Sequence, residues 1–176
     1  MTNLFTYCPQ CATPLALLTR HEDGGEKARL RCPACGYTHW NNPTPVLAAV
    51  VEYNGQILLA RNAAWSQRMF ALITGFMEAG ETPQAGITRE IKEETSLDVT
   101  ALDLIGVYDF QRMNQIIIAY HAVCTGEVAL SPELVEYRLY APDQLKCWPA
   151  GTGYALADWL TSKGHVPEFV EWAKRP

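Results

Sequence analysis

Three glutamates, Glu90, Glu93 and Glu94, stand at positions i, i+3 and i+4 of one segment. Helical periodicity would put all three carboxylates on one face. Like charges held this close repel, so the face needs a compensating cation, either basic side chains or a metal. Arg89 and Lys92 interleave with the acids, the pattern of an ordinary solvated helix surface. Hard oxygen ligands on a rigid face also suit Mg²⁺ or Mn²⁺ bound together with substrate phosphates. The spacing alone leaves both readings open.

A second constellation is made of sulfur. Cys8-Pro-Gln-Cys11 and Cys32-Pro-Ala-Cys35 are two Cys-x-x-Cys pairs separated by twenty residues, the spacing of a tetrahedral four-thiolate zinc site. Two thiolates separated by two residues reach one ion across a tight turn, and Gly36 suits such a turn. A redox pair would instead open a helix, whereas both pairs here fall in proline-containing turns. A segment of about 40 residues buries too little apolar surface to fold alone, so a metal cross-link would supply its stability. With four protein ligands no coordination position remains for substrate, and the zinc is expected to be structural. Cys124 and Cys147 have no cysteine neighbours and are expected to be buried free thiols.

These groups must be positioned by the rest of the chain. Its 176 residues are 48% hydrophobic and 19% charged, which is the composition of a globular protein. Asn41-Asn42-Pro43-Thr44-Pro45 marks a boundary, because each proline disfavours helix before it. The expected organisation is a zinc ribbon over residues 1–42 and a catalytic domain over 43–176. Val46–Glu52 reads as a buried strand, Asn54-Gly55 as a hairpin turn and Ile57–Ala60 as the returning strand. Phe70–Ile73 reads as a further strand ending before Gly75. Thr82 caps a helix with Pro83 in its first position, running from Gln84 to about Thr95. Leu104–Tyr108, Ile116–Val123 and Arg138–Tyr140 read as strands, and Gly153–Lys163 as a closing helix. Strands mixed with two helices predict an α/β or α+β sandwich.

Charge and hydropathy exclude some partners. The net charge of -5 offers no basic field to nucleic acid or anionic lipid, so nucleic acid is not expected as a partner. No apolar run is long enough to span a membrane. The N-terminus lacks the basic start and apolar core of a signal peptide, so a cytoplasmic location is expected.

Gly75, five residues, Glu81, seven residues, then Arg89-Glu90-Ile91-Lys92-Glu93-Glu94-Thr95-Ser96-Leu97 resembles the Nudix box. Every charged position matches; Ser96 stands where the family carries glycine. In a left-handed conformation serine there would cost about 1 kcal/mol over glycine. The resemblance implies a Nudix α/β/α sandwich in which Glu90, Glu93 and Glu94 bind catalytic Mg²⁺ or Mn²⁺ beside the Gly75 loop. Arg89 and Glu81 would orient them. A four-cysteine ribbon before such a domain resembles the NADH pyrophosphatase branch and relatives that cleave FAD or ADP-ribose. In that branch a glutamate before the last strand completes the metal site, which implies Glu133, with Glu136 in reserve. Ala150-Gly151-Thr152 resembles the branch's segment near the substrate adenine, placing Gly151 at the substrate. Phe76 and Trp40 resemble base-stacking aromatics, and Arg61, Arg68 and Arg112 are candidate phosphate contacts. The Ser-Gln-Pro-Trp-Pro-Phe-Pro motif of NADH pyrophosphatases is absent; Tyr108–Gln115 occupies its place.

The implied reaction is hydrolysis of a diphosphate linkage in a dinucleotide or nucleoside diphosphate derivative, with release of a nucleoside monophosphate. Glu133 or one of the helix glutamates would take the proton of the attacking water. A homodimer is implied by the same resemblance. The competing reading is a non-catalytic ligand-sensing module whose ribbon binds RNA or protein. It requires a basic or aromatic ribbon and decayed acids, whereas Thr13–Leu30 has mixed charge and every acid is present. Removal of a dinucleotide cap from RNA would keep the chemistry but calls for a positive groove.

Overall fold

The computed structural model describes residues 5–65 and 69–170, and the chain divides into two compact units, Met1–Asn42 and Pro43–Pro176. Candidate Arg68 lies outside the described residues.

The first unit is an antiparallel sheet of β1 (Ala16–Glu22), β2 (Gly25–Arg31) and β3 (Thr38–His39), in that order. Sequence reading anticipated the turns that carry the cysteines but not these strands, whose side chains, Arg31 apart, are exposed or half-buried and lack a clean apolar alternation. Among its described residues only Cys8, Cys32 and Arg31 are buried. The unit therefore has almost no apolar core, and its sulfurs occupy the place where one would be.

In the second unit β4 (Thr44–Tyr53) and β5 (Gln56–Asn62) form a hairpin across Asn54 and Gly55, both at positive φ (52° and 74°) as a type I′ turn requires. β6 (Ile73–Phe76), β7 (Asp98–Phe110), β8 (Gln115–Thr125) and β9 (Leu134–Tyr140) complete a mixed sheet of order β7-β8-β4-β5-β9. β4 pairs in parallel with β8 over its whole length. Its other edge is divided between β6 at Val46–Ala49 and β5 at Val51–Tyr53.

Leu47 to Val51 are fully buried because a helix covers each face of the sheet. Leu47, Ala49 and Val51 pack with Ile87 and Ile91 of α1 (Pro83–Thr95). Ala48 and Val50 face Ala155, Leu156 and Leu160 of α2 (Thr152–Ser162). Each buried Val, Leu or Ile side chain among these stabilises the fold by about 1.5–3 kcal/mol relative to exposure. The result is the expected α/β/α sandwich. Among the described residues no helix is long and apolar enough to cross a membrane.

One strand lies elsewhere than predicted. Phe70–Leu72 makes only a single bridge, Ala60 to Ala71, and the strand is Ile73–Phe76, running through Gly75. Pairing with β4 decides this, since the register sets Gly75 opposite Leu47 and Phe76 opposite Val46. Cys124 and Cys147 are buried, and burial pushes both thiols up to about 11.

Candidate metal and substrate site

α1 begins where local chemistry says it should. Thr82 is the N-cap and accepts a hydrogen bond from the Ala85 amide at 3.2 Å, with Pro83 in the first turn. The helix ends at Ser96, whose φ of 63° is left-handed and whose amide donates to the Lys92 carbonyl at 2.9 Å. The strain anticipated for serine is thus present, and its hydroxyl donates to the Ala129 carbonyl at 3.0 Å.

Between these ends Arg89 organises the acids. Its Nε and Nη2 grip Glu81 at 3.1 and 3.0 Å, while Nη1 donates to Glu90 at 2.8 Å and Glu93 at 3.0 Å. Nη2 also reaches the Phe76 carbonyl at 3.3 Å. A planar five-donor fork can grip several carboxylates in a fixed geometry, one of them through two parallel bonds, which the compact ammonium of a lysine cannot reproduce. Arg89 and the Glu78 amide, 2.7 Å from Glu81, hold the Glu81 carboxyl below the usual carboxylate range.

Two glycines admit this cluster. A Cβ on Gly75 would stand 1.9 Å from the Glu90 carboxyl carbon, so Glu90 packs directly over the β6 backbone. A Cβ on Gly86 would stand 2.5 Å from Glu81 Oε1. Gly75 is therefore a point of close approach rather than a turn.

Glu133 joins the helix acids from the connection between β8 and β9. It lines one cleft of about 530 Å³ together with Gly75, Phe76, Arg89, Glu90, Glu93 and Glu94. Arg89 neutralises Glu81, Glu90 and Glu93 in part, but no described Lys or Arg pairs with Glu94 or Glu133. Burial, with Glu90, Glu133 and Glu93 nearby, pushes the Glu94 carboxyl up to about 7. A carboxylate set with more negative charge than one arginine can balance fits a divalent cation bound through oxygen.

The second candidate site belongs to the first unit. The four sulfurs of Cys8, Cys11, Cys32 and Cys35 all lie within 4.8 Å of one another, with Cys8–Cys35 at 3.6 Å and Cys11–Cys32 at 3.4 Å. A tetrahedral ion with bonds of about 2.3 Å would set them about 3.8 Å apart. The two turns repeat each other. Ala12 and Gly36 donate to the carbonyls of Cys8 and Cys32, both at positive φ (58° and 78°). The donor set and its spacing fit zinc.

A further cavity of about 580 Å³ adjoins the glutamate cleft, sharing Val46, Trp65, Leu72, Thr74 and Gln115 with it. Arg112 and Gly151 line it. So do Phe70, Phe110, Tyr140 and Trp148, which sequence reading did not single out. Isolated aromatics carry no local signal of a shared cavity, although Phe110 lies within the singled-out Tyr108–Gln115 stretch and Trp148 just before Ala150-Gly151.

Other candidates fall elsewhere. Arg61 and Arg138 both engage Glu136, at 3.6 and 3.1 Å, so the reserve glutamate belongs to a surface ion pair and Arg61 lines neither cavity. Glu136 lies within β9 and does not line the glutamate cleft, whereas Glu133 stands in the turn before that strand and does. Trp40 belongs to the first unit, where the Arg29 guanidinium covers its ring at 4.9 Å.

A family model described as NUDIX domain matches residues 42–160, and one described as Nudix N-terminal, a zinc ribbon, matches residues 6–41. The chain belongs to the Nudix family. Among its Nudix relatives, the NAD-capped RNA hydrolase NudC of Vibrio vulnificus is 30% identical over 160 residues, covering 86% of this chain and 57% of that protein. The protein of the same name from Stutzerimonas stutzeri is 28% identical, covering 82% of this chain and 51% of its own. The chain thus spans about half the length of the relatives it matches. A Nudix hydrolase from Nitrosomonas europaea of known structure superposes with a TM-score of 0.76 at 26% identity, covering 94% of this chain and 97% of its own. An ADP-ribose pyrophosphatase from Streptococcus suis shares the fold at 20% identity, with a TM-score of 0.58 over 73% of this chain and 100% of its own. The name carried by the NudC relatives includes an RNA, so the expectation that nucleic acid is no partner has no support.

Proposed function

We propose that this Nudix protein hydrolyses the diphosphate linkage of an NAD-type dinucleotide or a related nucleoside diphosphate derivative and releases a nucleoside monophosphate. Residues 1–42 are read as a structural zinc ribbon and 43–176 as the hydrolase domain. The observation that carries this reading is the convergence of Glu90, Glu93, Glu94 and Glu133 in one cleft that opens onto an aromatic cavity. The cleft suits the charged diphosphate, and the cavity suits a base or nicotinamide ring.

In this reading the four glutamates hold Mg²⁺ or Mn²⁺, which when bound neutralises the diphosphate and lowers the pKa of the attacking water. Arg89 keeps Glu90 and Glu93 in place, with Glu81 fixing Arg89 from behind. Glu133 or one of the helix carboxylates accepts the water proton. Gly75 and Phe76 border the reacting group; Arg112 and Gly151 contact the remainder of the substrate in the adjoining cavity. Trp40 is retained as a stacking candidate on resemblance alone.

The linkage in an NAD cap on RNA is the same diphosphate as in free NAD, and the relatives' name supports including capped RNA among the substrates tested. A homodimer and a cytoplasmic location complete the reading. The test is a hydrolysis screen of NADH, NAD, FAD, ADP-ribose and NAD-capped RNA with Mg²⁺ or Mn²⁺, with Glu93→Gln and Glu94→Gln alongside. Metal-dependent monophosphate release, lost in both variants, is expected. Silence of the folded wild-type protein across the panel would sink the proposal.

A further inference from the structure

Glu133 is carried by a surface connection, yet it meets acids that belong to a helix. Part of the connection's attachment depends on no side chain. The Ala129 amide donates to the Thr95 carbonyl and the Ser131 amide to the Glu94 carbonyl, each at 3.0 Å. Beyond these, the Ser131 hydroxyl accepts the Glu133 amide at 3.3 Å, and the Glu133 carbonyl accepts the Ala63 amide at 2.8 Å. The connection is thus laced to the last turn of α1 at one end and to the end of β5 at the other.

One tie in this lacing runs through a side chain of the helix cap. Ser96 occupies the left-handed position that ends α1, where a glycine would be less strained. Its hydroxyl donates to the Ala129 carbonyl at 3.0 Å, alongside the Ala129–Thr95 bond. Ala129 is held from both sides as a result, its amide by Thr95 and its carbonyl by Ser96. The Lys92 ammonium fixes the other side of the cap, donating to the Ser96 carbonyl at 2.9 Å and to Asp98 at 2.8 Å. Val128 and Leu130 are partly buried and pack against the core beneath α1, so these hydrogen bonds act beside packing in registering this stretch against the helix.

We propose that the Ser96 hydroxyl is a positioning group for Glu133, coupling the connection that bears it to the end of the helix that bears Glu90, Glu93 and Glu94. This rests on the reading of Glu133 as a carboxylate of the metal site. A serine in place of glycine here strains the backbone at one residue while fixing the fourth carboxylate against the other three.

The test compares Ser96→Gly and Ser96→Ala, each alone and combined with Glu133→Gln, in the zinc-loaded full chain. Both lose the hydroxyl, but glycine relieves the left-handed strain and alanine retains it. Mn²⁺ binding is read by calorimetry or by the electron paramagnetic resonance of free Mn²⁺, and melting temperature is read in parallel. Both Ser96 variants are expected to weaken Mn²⁺ binding alike, by about tenfold, the low end for a group that acts through a ligand's support. Their melting temperatures should separate, with glycine the higher. In the Glu133→Gln background neither should weaken binding further. Wild-type Mn²⁺ affinity in the Ser96 variants, or an equal loss with and without Glu133, overturns the inference. Wild-type affinity in Glu133→Gln alone overturns the placing of Glu133 in the metal site, and the inference with it.

Discussion

Replacing Gly75 with alanine adds one methyl group where β6 passes under α1. The new Cβ would stand 1.9 Å from the Glu90 carboxyl carbon and 2.1 and 2.2 Å from its oxygens. Ordinary carbon contacts begin at about 3.5 Å, so the carboxylate must retreat by more than about 1 Å. Glu90 cannot do so and keep its 2.8 Å bond from Arg89, which itself is held by Glu81 and Glu93. The strand backbone has no reason to fail, because Gly75 is not at positive φ and its pairing opposite Leu47 remains available to alanine. The gain from replacing a glycine in extended backbone, about 0.5–1 kcal/mol, offsets much of the weakened ion pair. Net stability should therefore change by no more than about 1 kcal/mol, or about 2–4 °C in melting temperature for a domain of this size. Activity should suffer far more, since displacing a reacting group by about 1 Å costs on the order of a hundredfold. Steady-state release of nucleoside monophosphate at saturating Mn²⁺, beside thermal unfolding, separates the two effects. A Gly75→Ala protein that keeps its melting temperature and also retains turnover within about threefold would refute the claim that Glu90 must occupy that space.

Further expectations follow from the same geometry. Arg89→Lys replaces a fork serving three carboxylates with one ammonium, so Mn²⁺ affinity should fall by about tenfold by calorimetry while the fold survives; undiminished affinity would show that Arg89 orients nothing. The Glu94 carboxyl is raised to about 7 in the folded metal-free protein from an ordinary value of 4.5. The folded state then binds more protons than the unfolded state between those values, and stability falls as pH rises from about 4.5 to about 7. Urea midpoints of the metal-free protein should show this slope, and Glu94→Gln should flatten it. For the cysteines, a thiol reagent at neutral pH should find no reactive group in the zinc-loaded native protein and four after chelation. It should find all six only on denaturation, because burial raises the Cys124 and Cys147 thiols to about 11. Early reaction of either buried thiol would contradict their placement in the core.

The elements read correctly from sequence are those whose cause is local. A capping threonine, a proline in the first turn and acids at i, i+3 and i+4 define α1 within a single stretch of chain. Asn54-Gly55 defines its own turn, and two cysteines with two residues between them define each knuckle. The spacing also established that Glu90, Glu93 and Glu94 share a face, and resemblance rather than periodicity pointed to Glu133. Long-range pairing decided the rest. Whether Phe70–Ile73 or Ile73–Phe76 is the strand depends on which residues find β4, and no local pattern distinguishes them. The ribbon strands lack apolar alternation because their unit is organised around sulfur. Phe70, Phe110, Tyr140 and Trp148 reach one cavity from separate parts of the chain, a meeting that exists only once β4 and β8 lie parallel and α2 covers their face. Gly75 is the sharpest case. The sequence shows a conformationally free residue before a loop, whereas the folded protein uses its missing side chain, because a carboxylate from fifteen residues away occupies that volume.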